Sequence, residues 1–519
     1  MIGSSLTGGA ALAMAVEMAR DVFLRNGQVF DGTGSRPFHG SVLLRAGKIA
    51  ACGQMEPPAD AAVLDCAGLA IAPGFIDVHS HSDLHLLEQK KEKLRQGVTT
   101  EVVGNCGFSA FPVGAHPREL HSFANGILCG GTEWGWPSAK EYLDVAHQDR
   151  LGVQGESLVG HGSLRVAFAG HAQGPLARVQ LDAMVAALDE SLAEGAVGFS
   201  TGLMYAPGSG APREELVELC KVVARRGKLY CTHMRNYGFK LMEAIDEQIE
   251  LAEASGCRLQ ISHLQAVGKA NRDLNARALE RIEAARERGI DVAFDCYPYF
   301  AGSTVMTQLL PQTALAGGVA AMLELLGGQQ KRAQIARETK ESMANDWDEL
   351  RVSAVGSKEN AHCVGESLRE IGEERGIEPM EAVFQLLEEE KGEVNILEFN
   401  QSEENLRANL RHPLSIVISD GFYVRGRAHP RLYGTFPELL WRSIRDPEWL
   451  PLHTAIYKIT GYPAMRFGLK ERGLLQPGFS ADVTVFDPQT IASEATYEDP
   501  ERPPTGIRHV FRKGLERIL

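Results

Sequence analysis

No stretch of this sequence approaches the roughly 20 consecutive apolar residues that a membrane span requires, and basic residues are in deficit. Lys and Arg number 53 against 67 Asp and Glu, a formal net charge of −14. Such a balance repels phosphate backbones and anionic lipid, so neither nucleic acid nor a membrane surface is an expected partner. Cysteine is sparse: nine residues, an odd number, without paired spacings. A disulfide framework is therefore not expected, and buried thiols in a reducing, cytoplasmic setting are. The short apolar stretch near the start has no basic residue ahead of it, and Glu17 follows soon after. Residues 1–20 therefore read as an extension rather than a signal peptide. A phosphate-binding loop is missing too, because the glycines near Gly32 lack the helix and lysine that complete one.

What is present is ordinary globular composition, 44% hydrophobic and 23% charged over 519 residues. That length is too great for one simple core and predicts a large catalytic domain plus a smaller one. Both ends are β-rich, with short runs separated by glycine turns between Val22 and Ala51 and again in GFSADVTVFD and GIRHVFRKG. They predict a composite sheet built from both termini. Between them strand-like runs (AIAPGFIDVH, TTEVVGNC, AVGFSTG, KLYCTHM, RLQISHL, DVAFDCYPY, LSIVISD) alternate with helical stretches. That rhythm gives an α/β fold with a parallel sheet, and about eight such units favour a (β/α)8 TIM barrel over an open sheet. Residues 304–355 break the rhythm and read as a helical insertion over the catalytic face. The expected division is 1–74 and 469–519 for the terminal sheet and 75–468 for the barrel.

Parallel barrels build their sites at the C-terminal ends of their strands, and polar residues stand at those ends here. His79 and His81, separated by one residue after an apolar run, face the same side by the two-residue period of a strand. His233 and His263 each end a run, Cys106 sits in GNCGF and Asp420 in ISDGF. Singly, His233 or His263 is more often a hydrogen-bonded core residue than a ligand, and the blander reading of Asp420 is the cap of an Asp-Gly turn. Together they point to a metal, with zinc suited to thiolate and imidazole. A metal lowers the pKa of water and polarises a carbonyl, and Asp420 is the carboxylate that could carry the proton.

GFIDVHSHSD, GVTTEVVGNCGFS, GFSTGLMYAPG, THMRNYG, ISHLQAVGK, DCYPYFAGST, SDGFYVRGRAHPRLYGTFPELL and LLQPGFSADVTVFD together resemble the D-aminoacylase (N-acyl-D-amino-acid deacylase) branch of the amidohydrolase superfamily. The resemblance spans about Val22 to Val510 and implies a distorted barrel with a small β-sandwich made from both termini. It implies one tight zinc held by Cys106, His233 and His263, and a weaker second position among His79, His81 and Asp420. It also implies that Arg431 clamps the carboxylate of a small N-acyl amino acid, helped by Tyr297 and Ser303, with Tyr205 lining the pocket. One position departs: where the better-known members carry His-His-Lys, this chain has His263-Leu264-Gln265, so a lysine that helps hold the carboxylate is replaced by a neutral amide. The expected reaction is hydrolysis of the linear amide bond of N-acyl-D-amino acids. Its rivals are a cyclic-amide hydrolase of hydantoinase or dihydroorotase type, a dipeptidase, and a non-catalytic binding module; oligomeric state is not legible.

Overall fold

Eight parallel strands form a ring in chain order: Phe75–Asp77, Val98–Val103, Gln154–Gly160, Gly198–Gly202, Leu229–His233, Arg258–Ile261, Val292–Cys296 and Ser415–Val417. The computed structural model describes residues 21–88, 90–128 and 134–517; the extension expected over residues 1–20 lies outside them. Most ring strands are buried along nearly their whole length, as parallel strands covered on both faces must be. Seven of the eight coincide with the expected runs. Gln154–Gly160 was not among those runs, because its glycines, Glu156 and Ser157 interrupt the apolar pattern. No helix of the described residues is long and apolar enough to cross a membrane.

The first and last strands meet only beyond their ends. Asp420 N donates to His79 O at 2.8 Å and His81 N to Gly421 O at 2.9 Å. Ser419 N donates to Asp77 Oδ1 at 3.1 Å. Behind this seam the buried Lys93 ammonium donates to Ser419 Oγ at 2.6 Å and pairs with Asp77 and Glu101. The ring therefore closes at the mouth where the candidate ligands stand.

The two β-rich ends build one eight-stranded sheet, in which Val483–Phe486 pairs antiparallel with Ala70–Pro73. It branches at Val22–Val29, whose first half pairs with Ala62–Asp65 and second half with Ala70–Pro73. The irregularity between Leu24 and Gly27 marks the branch, as bulges bend a strand and increase its twist. Leu24, Val42, Val483 and Phe511 pack within this sheet. The chain passes from the sheet to the barrel at Gly74, where a Cβ would collide with the Thr99 hydroxyl.

The interruption of the barrel is longer than expected. Gly302–Val305, Leu350–Ala354 and Asn395–Glu398 form a separate antiparallel sheet. Helices Gly318–Leu326, Gln329–Ser342, Leu368–Arg375 and Pro379–Glu389 surround an apolar core that includes Leu326, Val352, Phe384 and Ile396. It thus runs from about residue 302 to 398 instead of 304 to 355. Residues 379–398 repeat the helix-then-strand rhythm of a barrel unit, and periodicity alone does not say which sheet a strand joins.

Arg512 fastens the terminal sheet to the barrel. It is fully buried, and its guanidinium donates to Leu151 O at 2.5 Å and Gln148 O at 3.3 Å, ahead of Gln154–Gly160. Arg512→Met removes these charge-assisted bonds and leaves carbonyls unpaired, at a cost of about 3 kcal/mol. Scanning calorimetry should show a lower apparent Tm, and an unchanged Tm would mean the contact contributes nothing.

Candidate active site

The expected ligands converge at the ring mouth. Cys106 Sγ lies 3.3 Å from His79 Nε2 and 3.6 Å from His263 Nε2. Asp420 Oδ1 lies 3.2 Å from His79 Nε2 and 3.3 Å from His81 Nε2. The His233 ring stands 4.6 Å, centroid to centroid, from His263. One donor atom each from His79, Cys106, His263 and Asp420 falls within a mutual 4.8 Å. Ligands 2.0–2.3 Å from a common ion stand at most about 4.6 Å apart, so the cluster needs little adjustment to hold one. Both ring nitrogens of His233, and Nδ1 of His81 and His263, are out of solvent without a hydrogen-bond partner. Such orphaned nitrogens beside a thiol fit a divalent metal and are costly otherwise.

The electrostatics agree with that donor set. Burial opposes ionisation of Cys106, but the His79 charge and the neighbouring His233, His263 and His79 imidazoles hold the thiol well below its ordinary range. Burial likewise opposes the charged form of Asp420, yet Arg431 and His79 keep its carboxyl well below the usual carboxylate range. His81 is pushed up to about 9 by Asp420 and Cys106, against burial. His233 moves the other way, lowered chiefly by burial, which leaves it the neutral imidazole a metal takes.

The backbone is bent to aim these side chains. Cys106, His263 and Asp420 all take positive φ, at 53°, 35° and 50°, a conformation costing non-glycine residues on the order of 1–3 kcal/mol each. Neighbouring bonds impose it. Asp295 Oδ1 accepts from His263 N at 2.6 Å, and Ser200 Oγ accepts from Gly107 N at 3.0 Å. The strand Gly198–Gly202 spells G-x-S-x-G, the string of a serine-hydrolase elbow. Here Ser200 is buried in a barrel strand and also donates to Gly104 O, so its hydroxyl holds the Cys106 loop and is not a free nucleophile. Gly202 packs so closely on that loop that a Cβ would collide with the Cys106 carbonyl oxygen.

A cavity of about 390 Å³ opens over the cluster, and Arg431, Tyr297, Ser303, Tyr205 and Gln265 all line it. Arg431 Nη1 stands 3.0 Å from Asp420 Oδ2, Nη2 donates weakly to Ser303 O at 3.4 Å, and the guanidinium lies 4.7 Å over the Tyr297 ring. Its Nε and Nη1 are buried with no well-directed acceptor. Tyr297 Oη donates to Gln265 Oε1 at 3.3 Å, and Tyr205 Oη lies 3.4 Å from Thr304 Oγ1. A hollow of about 460 Å³, lined by His121, Lys391 and Arg425, touches none of these residues.

Two residues of the site escaped sequence reasoning. Asp295 is buried; besides holding His263 N, it lies 3.4 Å from His79 Nδ1 and accepts from Gln260. Its signal is the lone charge within the apolar run Val292–Cys296, inside a strand and not at the strand end where barrel sites are expected. Glu398 also lines the cavity; it comes from the insertion, where no barrel-based rule points.

Comparisons with known proteins come out along the whole chain. The sequence profile of the amidohydrolase family matches residues 62–515. The D-aminoacylase of Alcaligenes xylosoxydans xylosoxydans is 34% identical over 95% of this chain and 93% of its own. The crystal structure of N-acyl-D-glutamate deacylase from Bordetella bronchiseptica, complexed with zinc and a phosphonate mimic of the tetrahedral intermediate, is 33% identical. It superposes with a TM-score of 0.82 over 96% of both chains. A D-aminoacylase structure addressing a binuclear metal centre, with one-metal activation and second-metal attenuation, is 33% identical at a TM-score of 0.81, again over 96% of each.

Because Gly202 sets the height of the Cys106 loop, Gly202→Ala should lower bound metal per chain sharply while far-UV circular dichroism stays unchanged. Full metal occupancy in that variant, measured by elemental analysis, would show that the loop can move without loss.

Proposed function

The chain belongs to the amidohydrolase family, and on that premise we propose that it is a zinc-dependent deacylase hydrolysing N-acyl-D-amino acids to a carboxylate and the free D-amino acid. The observation that carries the reading is Arg431. A buried guanidinium with unspent donors shares one cavity with a nitrogen, sulfur and oxygen cluster fit for a metal. Beyond its pairing with Asp420, its Nε and Nη1 lack a well-directed acceptor, and a planar carboxylate matches its fork. The three relatives described above are named as D-aminoacylases or as an N-acyl-D-glutamate deacylase. A hydantoin ring would offer Arg431 no carboxylate, which disfavours the hydantoinase alternative.

We assign Cys106, His233 and His263 to a tight zinc position and His79, His81 and Asp420 to a weaker second one. The reading is supported by the Cys106 sulfur, which lies between His263 and His79. Bound there, the metal supplies Lewis acidity, lowering the pKa of water and polarising the scissile carbonyl. Asp420, kept ionised by Arg431, accepts the proton of the attacking water at a carboxylate oxygen. It returns that proton to the amide nitrogen, which departs as the amine. Arg431 receives the substrate carboxylate, Tyr297 and Ser303 add hydrogen bonds, Gln265 offers a neutral donor, and Tyr205 shapes the wall. Asp295 acts through His79 and His263 by fixing their orientation, as outer-shell carboxylates do. The eight described cysteines are unpaired, which supports placing the protein in the reducing cytoplasm.

Two measurements test this. Amine release from matched N-acetyl-D- and N-acetyl-L-amino acids, with the zinc-loaded enzyme, should occur on the D series; hydrolysis confined to the L series would remove the stereochemical assignment. Asp420→Asn should keep zinc yet lose about 10³-fold in kcat, and near-normal turnover would take Asp420 out of the proton path.

A further inference from the structure

The charges lining the cavity are unevenly spent. Arg235 is held by Glu247 through contacts of 3.0–3.2 Å and by the Ser209 carbonyl. Arg431 is engaged with Asp420 and, in the reading above, with the substrate carboxylate. No lysine lines the cavity among the described residues, and Gln265 brings no charge. What remains is acidic. Glu338, on Gln329–Ser342, accepts from Thr313 Oγ1 and Gln334 Nε2. Glu398, at the end of Asn395–Glu398, accepts only a weak 3.4 Å bond from Asn400.

Glu398 stands close to the substrate's expected place. A methyl group built on Gly302 would lie 3.3 Å from Tyr297 Oη and 3.8 Å from Glu398 Oε2. The carboxyl therefore neighbours the tyrosine that packs against Arg431. Burial lifts it to about 7 against the pull of Arg431, so the site lacks the cation that would stabilise its ionised form. An anionic side chain entering here would meet Glu398 in a cavity that holds a second acid, Glu338, and no free cation among its described lining; an ammonium or guanidinium would supply the missing partner.

We infer that Glu398 sets side-chain preference, favouring N-acyl-D-amino acids whose side chain ends in a cation, such as lysine or arginine, over those ending in a carboxylate. This assignment rests on the deacylase reading and adds the substrate class. It also separates this chain from its relative that acts on N-acyl-D-glutamate.

The test compares kcat/KM of the zinc-loaded full-length enzyme on N-acetyl-D-lysine, N-acetyl-D-norleucine and N-acetyl-D-glutamate. Norleucine matches the lysine chain without its charge. Lysine should lead norleucine, and glutamate should trail lysine by about 100-fold or more. Glu398→Gln should cut the lysine-to-norleucine ratio by about 10- to 30-fold, chiefly through KM. Turnover of norleucine with no lysine advantage, or a ratio unmoved by Glu398→Gln, overturns the role of Glu398 and leaves the deacylase reading standing. No turnover of any D substrate overturns both. The wild-type ranking decides on its own should the variant fail to fold.

Discussion

Everything at the catalytic end depends on how the barrel closes. Its first and last strands are only three residues each and do not pair along their length. They are joined past their ends, where Asp420 N meets His79 O and His81 N meets Gly421 O. The seam and the ligand cluster are thus the same atoms' neighbours: a residue that shuts the ring also carries a donor group. The buried Lys93 charge behind the seam, shared by Asp77 and Glu101, is expensive to desolvate and gives little net stability. Its value is geometric, since Lys93 and Asp77 both bond Ser419, next to Asp420.

A rigid seam is what lets strained backbone persist beside it. Three of the candidate ligands adopt positive φ, and bonds reaching beyond their own turns help hold each bend: Gly107 N to Ser200 Oγ, His263 N to Asp295 Oδ1 and Asp420 N to His79 O. Asp295 is the most connected of these ties, since one carboxylate reaches His263 N, Gln260 and the far side of His79. The backbone that carries these imidazoles is therefore positioned by the sheet before any ligand arrives. A pre-set backbone forfeits less conformational entropy on binding.

The barrel and the convergence of the candidate ligands were legible because parallel barrels obey strong rules: near-continuous apolar strands and polar residues at their C-terminal ends. His79, Cys106, His233, His263 and Asp420 follow those rules one by one. Gln154–Gly160 was hidden because a strand rich in glycine and polar residues has no apolar signature; its core role comes from its neighbours in the ring. The insertion's extent was hidden for a different reason. Asn395–Glu398 pairs with Gly302–Val305 and Leu350–Ala354, partners distant in sequence, and no local pattern distinguishes that pairing from a place in the barrel. Asp295 was legible in principle, because an interior charge in a buried strand must be satisfied. Glu398 was not, since its meaning depends on which cavity its strand borders.

That division has a consequence for how selectivity and chemistry are built. The donors and their ties belong to the barrel, whereas Glu338 and Glu398 belong to a subdomain with its own apolar core, from Met306 to Ile396. A change of charge at Glu398 would alter what the cavity attracts without touching a strand of the ring or a bond of the seam. The reverse does not hold for Arg431, which lines the same cavity but also neutralises Asp420 at 3.0 Å. Replacing it would strand a buried carboxylate as well as lose an anchor, so its function cannot be varied independently of the catalytic charge. In the proposed reading, carboxylate recognition is therefore tied to the chemistry through the Arg431–Asp420 pair, whereas side-chain recognition would sit on a separately packed unit.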